Sequence, residues 1–376
     1  MSMNIFTSSL PTMLVELSTS ESELQWTLSI HSLGCCLASL LVGPLSDHYG
    51  RKIITLLSLV LFSVSSLGCA ISPTLFALDC WRLIQGVSTA AIPIVGLAIL
   101  SDLFHGRRFA AIFAYIGVVV ALSFLVTHLV GGYVGEHYGW RVLFYAMFVS
   151  GVILLFLYKT FLPETMNNPL SIRCAANNYK KMFKDHIFLL YCVMVSAMLA
   201  GFYAYIGASS YLYIEQFALS KVEFGMITSF GMVANVLAYL IVGSLTKWAG
   251  PRKILLIGIY ILAAASTALG WLTFLGTGSA YVLLFPMLLY NLAIGFIFPS
   301  ANSIAFERFR NMAGSTSAFL TSFRMLFIAI GSYISGYVYN GTLFSITIVI
   351  ISCSIVTIIS FFIVALKLKG PPKTQG

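Results

Sequence analysis

Eleven long apolar runs restrict the fold of this chain more than any other feature of its sequence. Each run has at least 20 residues, which at 1.5 Å per residue of helix is enough to cross a hydrocarbon core of about 30 Å. A backbone surrounded by lipid must satisfy its own hydrogen bonds, so each run is predicted to form a helix. The runs cover residues 25–45, 53–72, 76–101, 110–131, 141–162, 187–208, 222–245, 254–275, 280–303, 313–337 and 343–366.

The composition indicates that lipid surrounds most of the chain. Hydrophobic residues make up 59% of the 376 residues and charged residues only 9%, with a mean hydropathy of +0.95; soluble domains are about half apolar and a quarter charged. The net charge of +9 does not indicate a nucleic-acid partner, because the bases form short clusters between apolar runs, as in the loops of membrane proteins. The sequence therefore predicts an all-α polytopic membrane protein in a lipid bilayer.

No cofactor, metal site or enzymatic centre is expected. The seven cysteines mostly lie within apolar runs and show no metal-binding spacing. The sequence also has no nucleophile–base pair and no cluster of histidine, cysteine and acidic residues. The chain is therefore not predicted to be an enzyme.

The loops between the runs differ in charge, and this difference predicts the orientation. The first set of loops carries sixteen Lys and Arg residues, and the second set carries two. An excess of bases marks cytoplasmic loops, so the first set, here called the basic side, is predicted to be cytoplasmic together with the C-terminus. The basic side comprises 46–52, 102–109, 163–186, 246–253, 304–312 and the residues from 367 onward.

Residues 1–13 do not fit the pattern of full spans. They are compatible with a helix but cover only about 20 Å, and they contain several polar residues and Pro11. They lack the charged segment and cleavage site of a signal peptide. We therefore expect a partial first helix, which gives about eleven full spans plus a partial one.

A polar turn recurs after 200 residues, and the longest loop of the basic side, 163–186, divides the chain into six spans and six. The stretches 43–52 and 243–253 share glycines, a leucine, a hydroxyl residue and an Arg-Lys pair. Two six-helix halves related by an axis along the membrane normal are the layout of a parallel-repeat transporter. The predicted parts are an N-terminal bundle over 1–162, a linker over 163–186, a C-terminal bundle over 187–366 and a cytoplasmic tail over 367–376.

Five motifs resemble those of one transporter family, the major facilitator superfamily, and together they cover nearly the whole chain. The last two are similar to the bicyclomycin-resistance type of drug/proton antiporters. The resemblance implies the major facilitator fold, with two six-helix bundles. The motifs are Gly43-Pro44-Leu45-Ser46-Asp47-His48-Tyr49-Gly50-Arg51-Lys52, Arg82-Leu83-Ile84-Gln85-Gly86, the stretch with Gly131-Gly132, Gly139-Trp140-Arg141 and Phe144, Tyr213-Ile214-Glu215, and Met312-Ala313-Gly314-Ser315-Thr316-Ser317-Ala318.

The chain departs from the family pattern at two places that concern proton coupling. Family members typically carry an acid near the end of helix 1, where this chain has Asn4. They also tend to have prolines in helix 5, where this chain has Phe124 and His128. Both departures affect the coupling mechanism more than the fold.

The first motif supplies candidate gating residues. Asp47 and Arg51 are four residues apart and face each other on a helical turn, and Asp102 ends a span on the same side. The resemblance implies that these three side chains, with Gly43 and Gly50 in the turn, latch helix ends together in one state of the transporter. The alternative is a turn whose glycines only allow tight bending and whose bases only set the orientation.

Charged and polar residues within the spans are candidates for the substrate and proton pathway. Asp79 and Arg82 can pair on one helix face, and intramembrane charges usually mark a pathway; Gln85 lies one turn deeper and could contact the substrate. The resemblance implies that Arg82 influences the proton-carrying group or holds the substrate, and the alternative is a structural pair. The resemblance places Asn4 in the same pathway, because Asn4 stands where family members carry the acid of helix 1. Arg324 either balances the charge of the interior or binds an anionic substrate.

Histidine and aromatic residues complete the candidate pathway. His128 has an intrinsic pKa suited to proton exchange, although a histidine hydrogen-bonded in the core is the alternative. Tyr203 and Tyr205 lie in an aromatic cluster that suits a cavity for apolar or aromatic ligands.

The expected function is export of small amphipathic compounds, driven by protons and carried out by alternating access. The resemblance implies a bacterial-type inner membrane, a multidrug-resistance role and a small-molecule substrate, and we expect a monomer. Two alternatives stay open: a metabolite or siderophore exporter of the same fold, and a degraded paralogue that does not transport.

Overall fold

The computed structural model describes residues 2–104, 106–165, 172–246, 248–276, 279–309 and 312–369. Every regular element in these ranges is helical. A short 3₁₀ helix covers Thr7–Ser9, and a π-helical turn, Tyr211–Gln216, extends the ninth α-helix. The α-helices are α1 Leu10–Glu16, α2 Glu21–Tyr49, α3 Arg51–Ile71, α4 Leu75–Thr89, α5 Ala91–Leu103, α6 Gly106–His137, α7 Trp140–Phe161, α8 Ile172–Lys184, α9 His186–Ser210, α10 Lys221–Leu245, α11 Pro251–Phe274, α12 Ala280–Arg308, α13 Ala313–Val338 and α14 Leu343–Lys369.

The long helices confirm the predicted class of protein. Within the described ranges, ten helical stretches are long and apolar enough to cross a membrane. Helix α6 has 32 residues and lies where the fourth full span is predicted. The chain is therefore a multi-pass membrane protein built of helices.

The run predicted as one helix over 76–101 forms two helical segments. α4 ends at Thr89 and α5 begins at Ala91. Pro93 lies in the first turn of α5, where the backbone N–H that proline lacks would have no partner within the helix. The two segments together cover the predicted span.

Residues 2–16 form a short, buried segment rather than a loop. The side chains of Phe6, Leu10 and Met13 are fully buried, and the Phe6 ring lies 5.4 Å from the Phe144 ring of α7. The 3₁₀ helix contacts α6, α9 and α10. This segment therefore lies between helices from both halves of the chain.

Two helix pairs join the helices before residue 162 to those after residue 186. α2 packs along α13, and α6 packs against α10. On the first pair, the Ser322 hydroxyl donates to the Cys36 carbonyl at 2.9 Å. On the second, a Cβ placed on Gly225 would lie 3.3 Å from the Cα of Gly132, so the two backbones are nearly in contact there.

The predicted linker over 163–186 contains a helix, α8. Residues 166–171 of the linker, and most of the predicted tail, lie outside the described residues. The Tyr179 hydroxyl of α8 donates to the Leu40 carbonyl of α2 at 3.0 Å, and Asn178 donates to the Ser315 hydroxyl of α13 at 3.2 Å. The linker thus touches helices of both halves. The division into two six-helix bundles stays a prediction.

Candidate functional site

The three candidate gating side chains meet around one buried guanidinium. Arg51 is 7% exposed and forms an ion pair with Asp47 one turn earlier. Its Nε donates to Asp102 Oδ2 at 3.3 Å, and its Nη1 donates to the Ser46 hydroxyl at 2.7 Å. The ends of α2, α3 and α5 are therefore tied together on the basic side, as the sequence predicts.

Glu164, which the sequence reasoning did not single out, completes this cluster. Its carboxylate accepts the backbone N–H groups of Arg51 at 2.9 Å and of Lys52 at 3.1 Å. These donors belong to the first turn of α3, where N–H groups lack intrahelical partners and the helix dipole favours negative charge. The signal was present in the sequence as an acid that directly follows an apolar run on the basic side.

Gly50 is required where α2 turns into α3. Its φ is +103°, a conformation that residues with a side chain rarely adopt. A Cβ there would also lie 2.6 Å from Glu164 Oε2. Gly43, the other glycine of the motif, faces α13, where its Cβ would lie 3.6 Å from the Cβ of Ala318.

The side of the membrane opposite the basic side has contacts of its own between helix ends. Glu16 at the end of α1 accepts from the Trp140 indole at 2.9 Å and forms an ion pair with Arg141. Burial raises the pKa of Glu16, but the hydrogen bonds from Trp140 and Arg141 outweigh it and hold this pKa below its usual value. The start of α7 is thereby fixed to the N-terminal segment.

A second contact on the opposite side joins α6 to α10. Lys221 Nζ donates to the Gly135 carbonyl at 3.1 Å. The backbone N–H of Val222 donates to Glu136 at 2.9 Å. Because α6 and α10 come from different halves of the chain, these bonds hold the two halves together on this side. Nothing in the sequence indicated this pairing.

Arg82 lies in a buried polar network inside the spans. It is 0% exposed, and its Nη1 donates to the Ser2 carbonyl at 3.0 Å and to the Gln85 side chain. Gln85 in turn donates to the Ser66 hydroxyl at 2.8 Å. The guanidinium carbon also lies 4.7 Å from the centre of the Phe6 ring. Nε and Nη2 of Arg82 find no hydrogen-bond partner among the described residues.

The predicted pairing of Asp79 with Arg82 is wrong for this state. No ion pair joins them within the described part of the chain. Asp79 instead accepts from the Thr27 hydroxyl of α2 at 2.7 Å. The two side chains therefore have different hydrogen-bond partners, although their spacing permits a pair.

Asn4 lies in the same interior region, next to α9. It is 2% exposed and lies beside the Tyr203 hydroxyl. Neither atom of its amide forms a regular hydrogen bond within the described ranges. A buried amide without partners is costly, which suits a position that meets water or substrate at another stage of the cycle.

The structure separates the two candidate tyrosines of α9. Tyr203 is partly exposed and close to Arg324. Tyr205 is buried in the core of the C-terminal helices, where its hydroxyl donates to the Tyr213 hydroxyl at 3.1 Å. The two side chains therefore do not share one cavity.

His128 lies at the crossing of α6 and α10. Its Nδ1 is 2.9 Å from the Phe124 carbonyl, one turn earlier. Its Nε2 has no partner among the residues described here. Arg324 lies on a different helix, α13, and contacts α12. Its guanidinium carbon is 5.4 Å from the centre of the Phe298 ring.

No group of three or more His, Cys, Asp or Glu side chains in the described ranges is placed to hold a metal ion. The arrangement consists of a charged cluster at one end of the spans, a polar network inside them and helix contacts at the other end.

Comparisons with known proteins agree with this arrangement. The chain is similar to an MFS-type transporter, YdgK, of Bacillus subtilis, with 27% identity over 89% of this chain and 84% of that protein. It is similar to a bicyclomycin resistance protein homolog of Haemophilus influenzae, with 23% identity over 92% of this chain and 88% of that one. The fold matches a crystal structure of a D-xylose-proton symporter with a TM-score of 0.76 at 16% identity, covering 99% of this chain and 94% of that chain.

The family model of the Major Facilitator Superfamily matches residues 1–332, most of the chain. The helices, the predicted turn motif and the charged cluster at the end of α2 are consistent with that match. This chain is therefore a transporter that belongs to the major facilitator superfamily.

Proposed function

We propose that this protein exports small amphipathic compounds in exchange for protons. The substrate site would face each side of a bacterial-type inner membrane in turn, with the basic side and the C-terminus in the cytoplasm. The likeness to a bicyclomycin resistance protein homolog supports a role in drug resistance. Sixteen Lys and Arg residues lie in the loops of the basic side and two in the loops of the other side, which supports a cytoplasmic basic side.

The buried polar network around Arg82 is the observation that carries the proposal. A guanidinium that is fully buried with two nitrogens lacking partners among the described residues is costly inside a membrane. Residues of this kind are kept where an ion or a substrate passes. The network is formed by α3, α4 and the N-terminal segment, through Ser66, Gln85 and Ser2.

Asp79 is the acid best placed to carry the proton. All twelve carboxylates of the chain lie in the described ranges, and the others are within two residues of a helix end or in loops. Asp79 is four residues into α4, roughly 6 Å along its axis. The Thr27 hydroxyl, which donates to it, can accept from the protonated carboxyl instead, so both forms keep a hydrogen bond.

Arg82 links this proton to the cargo. It lies one turn deeper than Asp79 and interacts with it electrostatically. When Asp79 is protonated, Arg82 loses the influence of a nearby negative charge, and the potential at the network becomes more positive. The affinity for cargo then depends on the proton, which is what coupled exchange requires.

Movement between states uses the contacts at the two ends of the spans. The α6–α10 contact through Lys221 and Glu136 must break for the opposite side to open. The cluster around Arg51, with Asp47 and Asp102, latches helix ends together on the basic side in this state and opens in the other. Rocking of two helix bundles about a central site is the usual movement in this architecture.

Proton exchange in inside-out vesicles tests the proposal. The vesicles are acidified inside, and a pH-sensitive dye reports proton release when members of a panel of dyes and antibiotics are added. We expect release with some compounds, loss of release in Asp79→Asn, and normal release in Glu307→Gln, which removes an exposed acid at the end of α12. Absence of release with every compound, or full release by Asp79→Asn, with insertion verified in both cases, refutes the proposed coupling.

A further inference from the structure

Arg324 is a second cation in the interior, and it has no acidic partner among the residues that the structure describes. It is eleven residues into α13, about 16 Å along the helix axis. Its side-chain contacts are a 3.3 Å hydrogen bond to the Thr321 hydroxyl and the face of the Phe298 ring. None of the four ion pairs in the described part of the chain includes it.

The surroundings of Arg324 come from both halves of the chain. Cys35 of α2, Tyr203 of α9 and Tyr239 of α10 are close enough to interact electrostatically with the guanidinium, and Phe298 belongs to α12. Four helices besides α13 thus surround this side chain. A site contributed by both halves is where the substrate of a rocking transporter is bound.

The side chains around Arg324 retain some exposed surface. Arg324, Tyr203, Tyr239 and Phe298 are each partly exposed, although helices surround them. Their exposed surface therefore faces a gap between the helices rather than lipid alone. Arg82, by contrast, is fully buried below the Ser2 carbonyl.

The chemistry of this space favours an anion. The guanidinium and the two phenol hydroxyls are donors, and the Phe298 ring is an apolar face. Arg82 and Arg324 form no ion pair in the described part of the chain, and Asp79 is the one acid placed within a span away from its ends. A cationic cargo would meet the Arg324 guanidinium here without a carboxylate to pair with, whereas an anion would remove an uncompensated charge.

We infer that Arg324, Tyr203, Tyr239 and Phe298 form the headgroup site for an organic anion with an aromatic or other apolar body. Its carboxylate or sulfonate accepts from the Arg324 guanidinium and from the two hydroxyls. Its apolar body lies against the Phe298 ring. This inference rests on the proposed transport function, because it names the cargo class of that pathway.

A matched pair of probes separates charge from shape. 1-Naphthoate and 1-naphthamide have the same ring system, but only the first carries a negative charge. Binding of each to the purified full-length protein is measured by quenching of naphthalene fluorescence, at constant chloride. Naphthoate is expected to bind more tightly than naphthamide.

Variants assign the difference to one residue. Loss of a charge-assisted interaction in a partly dry site weakens binding by roughly 10- to 100-fold, so Arg324→Gln should lose that much affinity for naphthoate and little for naphthamide. Arg324→Lys keeps the charge and should retain part of the preference for the anion. Lys180→Gln removes an exposed base of α8 and serves as the control, with unchanged binding of both probes. A melting temperature for each variant verifies that it is folded.

Three outcomes contradict the inference. They are equal binding of the two probes by the unaltered protein, an Arg324→Gln variant that is folded and binds naphthoate normally, and displacement of naphthoate by low millimolar chloride, which indicates a site for inorganic anions. The proposed function is tested independently of this inference. If no compound releases protons but naphthoate binding depends on Arg324, the anion site stands and proton exchange does not.

Discussion

Replacing Gly225 by alanine tests whether the α6–α10 crossing depends on direct backbone contact. A Cβ at this position would lie 2.7 Å from the His128 carbonyl oxygen and 3.3 Å from the Cα of Gly132. Both neighbours are backbone atoms, so the clash is relieved only if one helix moves. Overpacking of this kind costs about 1–3 kcal/mol.

A second glycine of the same helix provides the control. A Cβ on Gly231 would meet the Asn291 Nδ2 at 3.5 Å, an ordinary contact. Both substitutions gain the same helix propensity, about 1 kcal/mol, so this gain cancels in their difference. Gly225→Ala is therefore expected to be about 1–3 kcal/mol less stable than Gly231→Ala.

Thermal unfolding of the purified variants in one detergent measures this difference. For chains of this size, 1 kcal/mol shifts the melting temperature by roughly 2 °C, so Gly225→Ala should melt at least about 2 °C below Gly231→Ala. Equal melting temperatures, or a higher one for Gly225→Ala, would show that the two backbones are not in contact at this crossing.

Three further predictions concern the charged contacts at the helix ends. Asp47→Asn removes one partner of the buried Arg51 and should leave insertion intact but lower transport at least about tenfold; normal transport by a well-expressed variant contradicts a role in gating. Glu164→Gln keeps the shape of the side chain but removes the negative charge that accepts two N–H groups of α3. Because Glu164 is exposed, the free energy of unfolding measured with a denaturant should fall by only about 1–2 kcal/mol. An unchanged free energy of unfolding would show that these bonds contribute nothing. Glu16→Gln tests a pH effect: because the pKa of Glu16 is lowered in the folded state, its contribution is present above the unfolded pKa of about 4.3 and disappears as the pH falls through the folded value. With both partners 41% exposed, this contribution is about 1 kcal/mol, so the variant should be less stable at neutral pH and equal to the unaltered protein near pH 3, and a difference independent of pH would contradict the assignment.

Local sequence information was sufficient for the long helices and for the pairing of Asp47 with Arg51. Asp47 and Arg51 meet because a helix places residues four apart on one face. Asp102 was placed with them because it ends a span on the same side of the membrane and because the motif resemblance implies it. Which helix ends meet on that side depends on how the helices pack.

The candidate pathway was predicted less completely. The sequence identified Asp79, Arg82 and Gln85 as intramembrane polar residues. The Asp79–Arg82 pair that their spacing permits is not formed among the described residues, and Asp79 accepts from Thr27 of α2 instead. It also grouped Tyr203 with Tyr205, which are two positions apart on a helix and therefore point in different directions. Only the packing of α9 shows which of the two faces Arg324.

The sequence by itself determined that the chain crosses a membrane as helices, because a backbone in lipid has no other way to satisfy its hydrogen bonds. It also determined the charge difference between the two sides, which depends only on composition. The tertiary structure decided which distant groups meet: Glu164 with the first turn of α3, Gly132 with Gly225, and Arg324 with aromatic side chains. These contacts join residues tens to hundreds of positions apart, and their geometry follows from how the helices pack rather than from any periodicity along the chain.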